Sequence, residues 1–202
     1  MQNIHKTRFL AANYSNLQGL KSIPLGLLLP IVVIWANMQK GSASNLTLPI
    51  LLSIAMIVLF IGIQRYYLTR FGMIDRTPNQ KRMEVILGVL GGIIGLAAFA
   101  LDTRFDLPVS TVGLVFAGAI VAEYLRMQWY APGNYLLPLS AASFVIMLVV
   151  SILPLLGLSN WWQLLGLRTQ LFGVLIVAGL VIVINGLIGH WFFVQQLPGK
   201  EE

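Results

Sequence analysis

Residues 64–84, QRYYLTRFGMIDRTPNQKRME, form a basic, polar stretch between two long apolar runs, and they decide how the rest of the chain is oriented. Five of the thirteen Lys and Arg residues lie here: Arg65, Arg70, Arg76, Lys81 and Arg82. Basic connections between membrane spans are retained on the cytoplasmic side. This stretch is therefore predicted to be a cytoplasmic connection between two transmembrane helices.

The composition is far more apolar than that of a soluble domain. Of the 202 residues, 57% are hydrophobic and only 10% are charged, and the mean hydropathy is +0.82. About 20 apolar residues in a helix cross the ~30 Å hydrocarbon layer of a bilayer. Apolar runs near this length leave little chain outside the bilayer, so we expect one membrane domain.

The net charge of +6 belongs to this topology. The basic residues lie at the ends of apolar runs and form no separate soluble patch, so no nucleic-acid partner is expected. Near the cytoplasmic leaflet each would attract anionic lipid headgroups by about 1 kcal/mol. The chain has no cysteine, which excludes disulfides, thiol catalysis and thiolate metal ligands.

The predicted fold is all-α: a polytopic integral membrane protein with six transmembrane helices arranged as three antiparallel hairpins, with both termini cytoplasmic. The predicted spans cover about residues 23–38, 48–68, 83–101, 107–128, 135–158 and 171–194, within a transmembrane domain of residues 23–194. Residues 1–22 are predicted to be a cytoplasmic interfacial amphipathic segment. Residues 195–202 are predicted to be a cytoplasmic tail.

The distribution of basic residues supports this count of spans and their direction. The predicted cytoplasmic side holds Lys6, Arg8, Lys21, Arg65, Arg70, Arg76, Lys81, Arg82, Arg126 and Lys200. The outer side holds only Lys40, Arg104 and Arg168. Adding or removing one span would mix the two sets and remove the positive-inside bias.

Glycines predict close packing in the middle of the chain. The third span carries Gly88, Gly91, Gly92 and Gly95, which form two overlapping GxxxG spacings. The short polar turn at residues 102–106, DTRFD, makes the third and fourth spans antiparallel neighbours. We therefore expect these glycines to pack against small residues of the fourth span.

The sequence offers few groups for chemistry inside the membrane. Transporters driven by protons or ions usually retain a charged residue near a span centre, and here the charged residues fall at predicted span ends. The two histidines, His5 and His190, have no metal-site spacing, and the serines within the spans have no neighbouring base in the sequence. No catalytic residue, metal or cofactor is predicted, and the protein is not expected to be an enzyme.

Two sets of residues are candidates for binding. The first is a basic, aromatic collar at the predicted cytoplasmic ends of the spans, able to bind lipid headgroups or a partner: Arg65, Tyr66, Arg70, Glu123, Arg126, Trp129 and His190. Ordinary interfacial anchoring is the alternative interpretation of this collar. The second candidate is Asn185, whose deep position favours an interhelical hydrogen bond or a place in a cavity.

Three functions fit these features. The first is a non-enzymatic membrane subunit or accessory partner of a transport or signalling complex, with a protein partner or a second copy of the chain. The second is a small transporter or a lipid-binding protein with a cavity between helical hairpins. The weakest is a lipid-modifying enzyme using Glu123 and His190. The short connections favour location in a bacterial inner membrane.

Overall fold

The computed structural model describes residues 14–39, 47–72, 78–130 and 136–196, and within these ranges every regular element is a helix. The α-helices are α1 (Tyr14–Leu17), α2 (Ile23–Met38), α3 (Thr47–Phe71), α4 (Pro78–Arg104), α5 (Thr111–Tyr130), α6 (Leu137–Ile152) and α7 (Gln170–Gln196). Short 3-10 segments cover Gly19–Ser22, Leu153–Leu156 and Trp161–Leu165. Most of the predicted interfacial segment, residues 1–13, and residues 197–202 of the predicted tail lie outside the described residues.

The prediction of an all-α protein with six long helices is confirmed for the described residues. Five helical segments are long and apolar enough to cross a membrane: Gly19–Met38, Thr47–Phe71, Lys81–Arg104, Leu137–Leu156 and Gln170–Gln195. The remaining long helix is α5, whose last turns carry the charged residues Glu123 and Arg126. Helix α5 is therefore not among the five segments that are apolar enough over the length of a span.

Several helix boundaries differ from the predicted spans. Helix α4 continues to Arg104, so the first part of the expected polar turn is helical, and α5 begins only at Thr111. Helix α6 ends at Ile152 and passes into a 3-10 segment that contains Pro154. Proline lacks a backbone N–H and its ring clashes with the carbonyl four residues earlier, so the α-helix cannot continue unchanged there. Gly157, with φ of 88°, ends the 3-10 segment.

Contacts divide the chain into two units. The first comprises residues 1–73, 126–136 and 179–202, and the second comprises residues 74–125 and 137–178. Helix α7 is continuous, with its N-terminal part in the second unit and its C-terminal part in the first.

In the first unit, α7 packs against α2 and the 3-10 segment before it through two pairs of glycines. A Cβ atom built on Gly179 would lie 2.6 Å from the carbonyl oxygen of Gly26, and one on Gly186 would lie 2.6 Å from that of Gly19. The glycines of each segment are seven residues apart, which is about two helical turns. Because the earlier glycine of one segment meets the later glycine of the other, the two segments run antiparallel.

The prediction that the glycines of α4 pack against the following helix is wrong. Apart from the neighbouring backbone of α4 itself, a Cβ atom built on Gly88, Gly91, Gly92 or Gly95 would meet no heavy atom of the described residues within 4 Å. The close contact of α5 in the second unit is made by Gly113 instead, where a Cβ atom would lie 3.0 Å from Val174 Cγ1. A GxxxG spacing shows that one helix face lacks large side chains, but it does not show whether a helix of the same chain packs against that face.

Replacing Gly179 by leucine is expected to lower the stability of the protein by about 2 to 3 kcal/mol, because the added side chain would collide with the backbone of α2. The matched control is Gly62→Leu in α3, where a Cβ atom would meet no described atom within 4 Å. That control should be neutral or slightly stabilising, since leucine favours helices more than glycine does. Thermal unfolding of both variants in detergent measures the difference, and equal midpoints would contradict the glycine contact.

Candidate functional site

The predicted collar residues lie on three helices. Arg65, Tyr66 and Arg70 are exposed on α3, and the ring centroid of Tyr66 lies 6.3 Å from that of His190 on α7. The collar residues of α5 fall in different units, with Glu123 in the second unit and Arg126 and Trp129 in the first. Trp129 is 88% exposed. Of the collar, the structure thus brings Tyr66 and His190 together by a ring contact.

Tyr67, the neighbour of Tyr66, holds the centre of this region. Its side chain is only 1% exposed, and its hydroxyl is hydrogen-bonded at 2.7 Å to Nδ1 of His190. The same hydroxyl accepts a hydrogen bond from the Leu20 backbone N–H at 3.4 Å. The residue predicted for the collar was Tyr66, which is one residue away and about 100° around the helix. Ile63 and Phe71 also pack here, so a four-residue spacing could have identified the buried face of α3.

An aromatic cluster surrounds this hydrogen bond and joins α1, α3 and α7. The ring centroids of Phe71 and Phe193 are 5.1 Å apart, and those of Tyr14 and Phe193 are 5.4 Å apart, both in edge-to-face arrangements. Each such pair contributes about 0.5 to 1.5 kcal/mol beyond the burial of its area. Lys21 Nζ lies 6.0 Å from the centroid of the Tyr67 ring. The cluster therefore fixes the start of the described chain against the ends of two long helices.

Tyr14 closes the cluster with a hydrogen bond to the end of α3. Its hydroxyl donates to the carbonyl oxygen of Gly72 at 2.8 Å. Burial raises the pKa of the Tyr14 phenol, while its hydrogen bond with Gln18 acts in the opposite direction. The phenol is therefore protonated at neutral pH and keeps the proton that it donates.

Replacing Tyr67 by phenylalanine is expected to cost about 1 kcal/mol of stability, because His190 and the Leu20 N–H lose a shared partner. Tyr66→Phe is the matched control, since it removes a hydroxyl from the exposed neighbour on the same turn of α3. Thermal unfolding in detergent should separate the two variants. If Tyr66→Phe were the more damaging change, the assignment of Tyr67 as the central residue would be incorrect.

In the second unit, Asp102 near the end of α4 caps the beginning of α5. Its carboxylate accepts hydrogen bonds from the backbone N–H groups of Thr111 at 2.7 Å and Val112 at 3.1 Å. It also accepts hydrogen bonds from the hydroxyls of Ser110 and Thr111. The first N–H groups of a helix have no partner within the helix, and a negative charge beside them is favourable. Asp102 therefore connects the end of α4 to the beginning of α5.

Further hydrogen bonds connect this cap to the ends of α6 and α7. The Ser110 N–H donates to the carbonyl oxygen of Ser151 at 2.9 Å, and Gln170 Nε2 donates to the same oxygen at 3.4 Å. Ala98, Val112 and Leu171 form a small buried cluster next to these bonds. The ends of four helices in the second unit are therefore held together by named contacts.

Replacing Asp102 by asparagine should lower stability by about 2 kcal/mol, because a neutral amide cannot accept all four hydrogen bonds and loses the favourable charge at the helix terminus. Asp106, four residues later, is exposed and caps no helix in the described part of the chain. The Asp106→Asn variant should therefore unfold at the temperature of the unmodified protein. Equal losses of stability in the two variants would contradict the capping role of Asp102.

These four helix ends enclose a partly open cavity of about 650 Å³. Its main polar lining residues are Asp102, Asp106, Ser110, Arg168, Thr169 and Gln170. Its aromatic lining residues are Phe99, Phe105, Trp162 and Phe172. Ligand pockets in proteins usually have volumes of roughly 300 to 1,000 Å³, mostly apolar walls and a few polar groups. The volume of the cavity lies within this range, and its walls combine apolar and polar groups.

This cavity was not predicted from the sequence, where Asn185 was the candidate cavity residue. Asn185 is half-buried on the C-terminal part of α7, in the first unit, and does not line the cavity described above. The cavity residues come from four separate segments, each of which resembles an ordinary turn or interfacial aromatic group. The acidic pair in residues 102–106 and the polar residues 168–170 were the available signals.

Within the described residues, no group of three or more His, Asp or Glu side chains could hold a metal ion. Comparisons of the chain with protein-family models, curated proteins and solved structures found no match.

Proposed function

We propose that this protein is a non-enzymatic subunit of a membrane complex, and that α4 binds a transmembrane helix of another protein. In this proposal six helices cross the membrane as three antiparallel hairpins, with both termini in the cytoplasm of a bacterium. Five helical segments have the required length and apolarity. The distribution of Lys and Arg supports the orientation, because residues 64–84, which include the end of α3 and the beginning of α4, hold five of the thirteen Lys and Arg residues.

Helix α5 supplies the sixth crossing. Its 20 residues, Thr111–Tyr130, span about 30 Å, which matches the hydrocarbon layer. Glu123 and Arg126 lie in its C-terminal part, where long side chains reach the headgroup region. This position makes the two charges compatible with a crossing helix.

The open glycine face of α4 is the observation that carries the proposal. Gly88, Gly92 and Gly95 recur at intervals of four and three residues, so they lie on one face of the helix. No described heavy atom outside the neighbouring backbone of α4 lies within 4 Å of a Cβ built on any of them. Ala98 continues this face and is buried against Val112 and Leu171. Helix α4 therefore packs against the second unit at Ala98, but not at these glycines.

A second helix suits this face better than lipid tails do. Small residues allow two backbones to approach closely, which increases van der Waals contact and permits interhelical hydrogen bonds. Elsewhere in this chain, Gly179 and Gly186 are the points where helices touch. The glycines of α4 offer the same narrow surface to a partner from outside the chain.

Charge favours a different protein over a second copy. The first turns of α4 carry Lys81, Arg82 and Glu84, so their net charge is positive. A parallel pairing of two α4 helices would place these cations near their own copies, which is unfavourable. The proposed partner helix therefore carries acidic residues at its cytoplasmic end.

The test is purification of the tagged chain from its native membranes in a mild detergent, followed by mass spectrometry of the intact assembly. The Gly88→Ile and Gly92→Ile double variant should retain about a tenth or less of the partner, because two branched side chains fill the narrow face. Gly62→Ile is the matched control, since Gly62 is also open and lies on α3. That control should retain the partner fully.

Three results would contradict the proposal. The unmodified chain could emerge without any protein partner, or Gly62→Ile could release the partner as completely as the double variant does. A homodimer that depends on Gly88 and Gly92 would replace the proposed partner by a second copy.

A further inference from the structure

The cavity of the second unit combines one cation with one available anion. Arg168, which also interacts within the protein, supplies a guanidinium with five N–H donors, and Asp102 and Asp106 supply carboxylates. The Asp102 carboxylate is engaged with the first residues of α5 through four hydrogen bonds. Asp106 is exposed and makes no hydrogen bond or ion pair within the described residues, so its carboxylate can receive a ligand.

The other lining groups favour a compact zwitterion. Gln170 and Thr169 provide neutral hydrogen-bonding groups beside Arg168, and Trp162 and Phe105 provide aromatic faces for an ammonium group. A single guanidinium matches one phosphate, since Arg binds phosphate oxygens through two parallel hydrogen bonds. A nucleotide with several phosphates would need more cations than this cavity supplies.

The segments that line the cavity also expose leucines, which is typical of a membrane surface. Leu155 adjoins the lining residue Pro154 and is 61% exposed, and Leu164, two residues after the lining residue Trp162, is 87% exposed. Tryptophan is enriched at the boundary between hydrocarbon and headgroups. In the proposed membrane arrangement these segments lie at that boundary, so a phospholipid headgroup can reach the cavity while its acyl chains stay in the bilayer.

We infer that this cavity binds a headgroup that carries one phosphate and one primary ammonium, supplied by a membrane phospholipid of the phosphatidylethanolamine class. Arg168 binds the phosphate, Asp106 binds the ammonium, and the acyl chains lie against the exposed leucines. An anionic lipid without an ammonium group would meet the same guanidinium but would be repelled by Asp106. This inference rests on the proposed membrane arrangement and is independent of the partner that binds α4.

The test is lipid binding to the purified intact chain, measured by native mass spectrometry. The probes are phosphatidylethanolamine, phosphatidylglycerol with identical acyl chains, and the water-soluble headgroup glycerophosphoethanolamine. Phosphatidylethanolamine should bind about tenfold or more tightly than phosphatidylglycerol, the scale of one hydrogen bond between charged groups. The soluble headgroup should compete only weakly, because it lacks acyl chains.

Matched variants separate a specific site from surface attraction. Arg168→Gln should weaken phosphatidylethanolamine binding about tenfold, and Asp106→Asn should remove the preference over phosphatidylglycerol. The control is Arg104→Gln, which removes one positive charge from the exposed end of α4 but does not line the cavity. Its affinity should equal that of the unmodified chain. All three residues are exposed, so thermal unfolding should confirm that each variant folds.

Equal binding of the two lipids, or equal losses in Arg104→Gln and Arg168→Gln, would overturn the site. If glycerophosphoethanolamine competed at the same concentration as the lipid, the ligand would be a soluble zwitterion and not a membrane phospholipid. The Gly88→Ile and Gly92→Ile double variant should bind lipid normally. Failure of the proposed docking function therefore leaves this result unchanged.

Discussion

Hydrocarbon is the solvent that α3 and α4 require. Val58 on α3 is 64% exposed, and Val85 and Leu96 on α4 are 65% and 73% exposed. In water, leaving such side chains uncovered would forfeit roughly 1.5 to 3 kcal/mol each, whereas lipid tails or an apolar partner helix cover them. A helix also satisfies its own backbone N–H and C=O groups, which no water can do inside a bilayer. The long helices and the position of charges at their ends follow from this constraint.

The glycines of the long apolar helices are of two kinds. Gly19, Gly26, Gly179 and Gly186 bring the backbones of α2, the segment before it and α7 into contact, so the first and last long helices are neighbours in the first unit. The glycines of α4 have the same small surface but meet no described atom of the chain. The proposal of a docking helix depends on this difference. Gly62 on α3 shows that an isolated open glycine also occurs, which is why it serves as the control.

The sequence predicted the helices well because their length and apolarity are local properties. From the charges of residues 64–84, the prolines and the apolar runs, the helix ends were predicted to within six residues. The pairing of Gly26 with Gly179 could not be predicted, because no local pattern in either helix shows that α2 and α7 are neighbours. Tyr66 and Tyr67 point about 100° apart around α3, and the sequence pattern alone did not show which of the two is buried. The cavity depends on four segments that meet only in the folded chain.

The central claim is that α4 crosses the membrane and begins in the cytoplasm. The chain has no cysteine, so a single introduced cysteine reports its own position. Thr69 and Thr103 are both exposed near the ends of α3 and α4, and each hydroxyl bonds to the backbone of the preceding turn. In intact cells, a membrane-impermeant maleimide should label Thr103→Cys, and it should label Thr69→Cys only after the cells are opened. Labelling of both positions from one side, or the reverse pattern, would contradict the account.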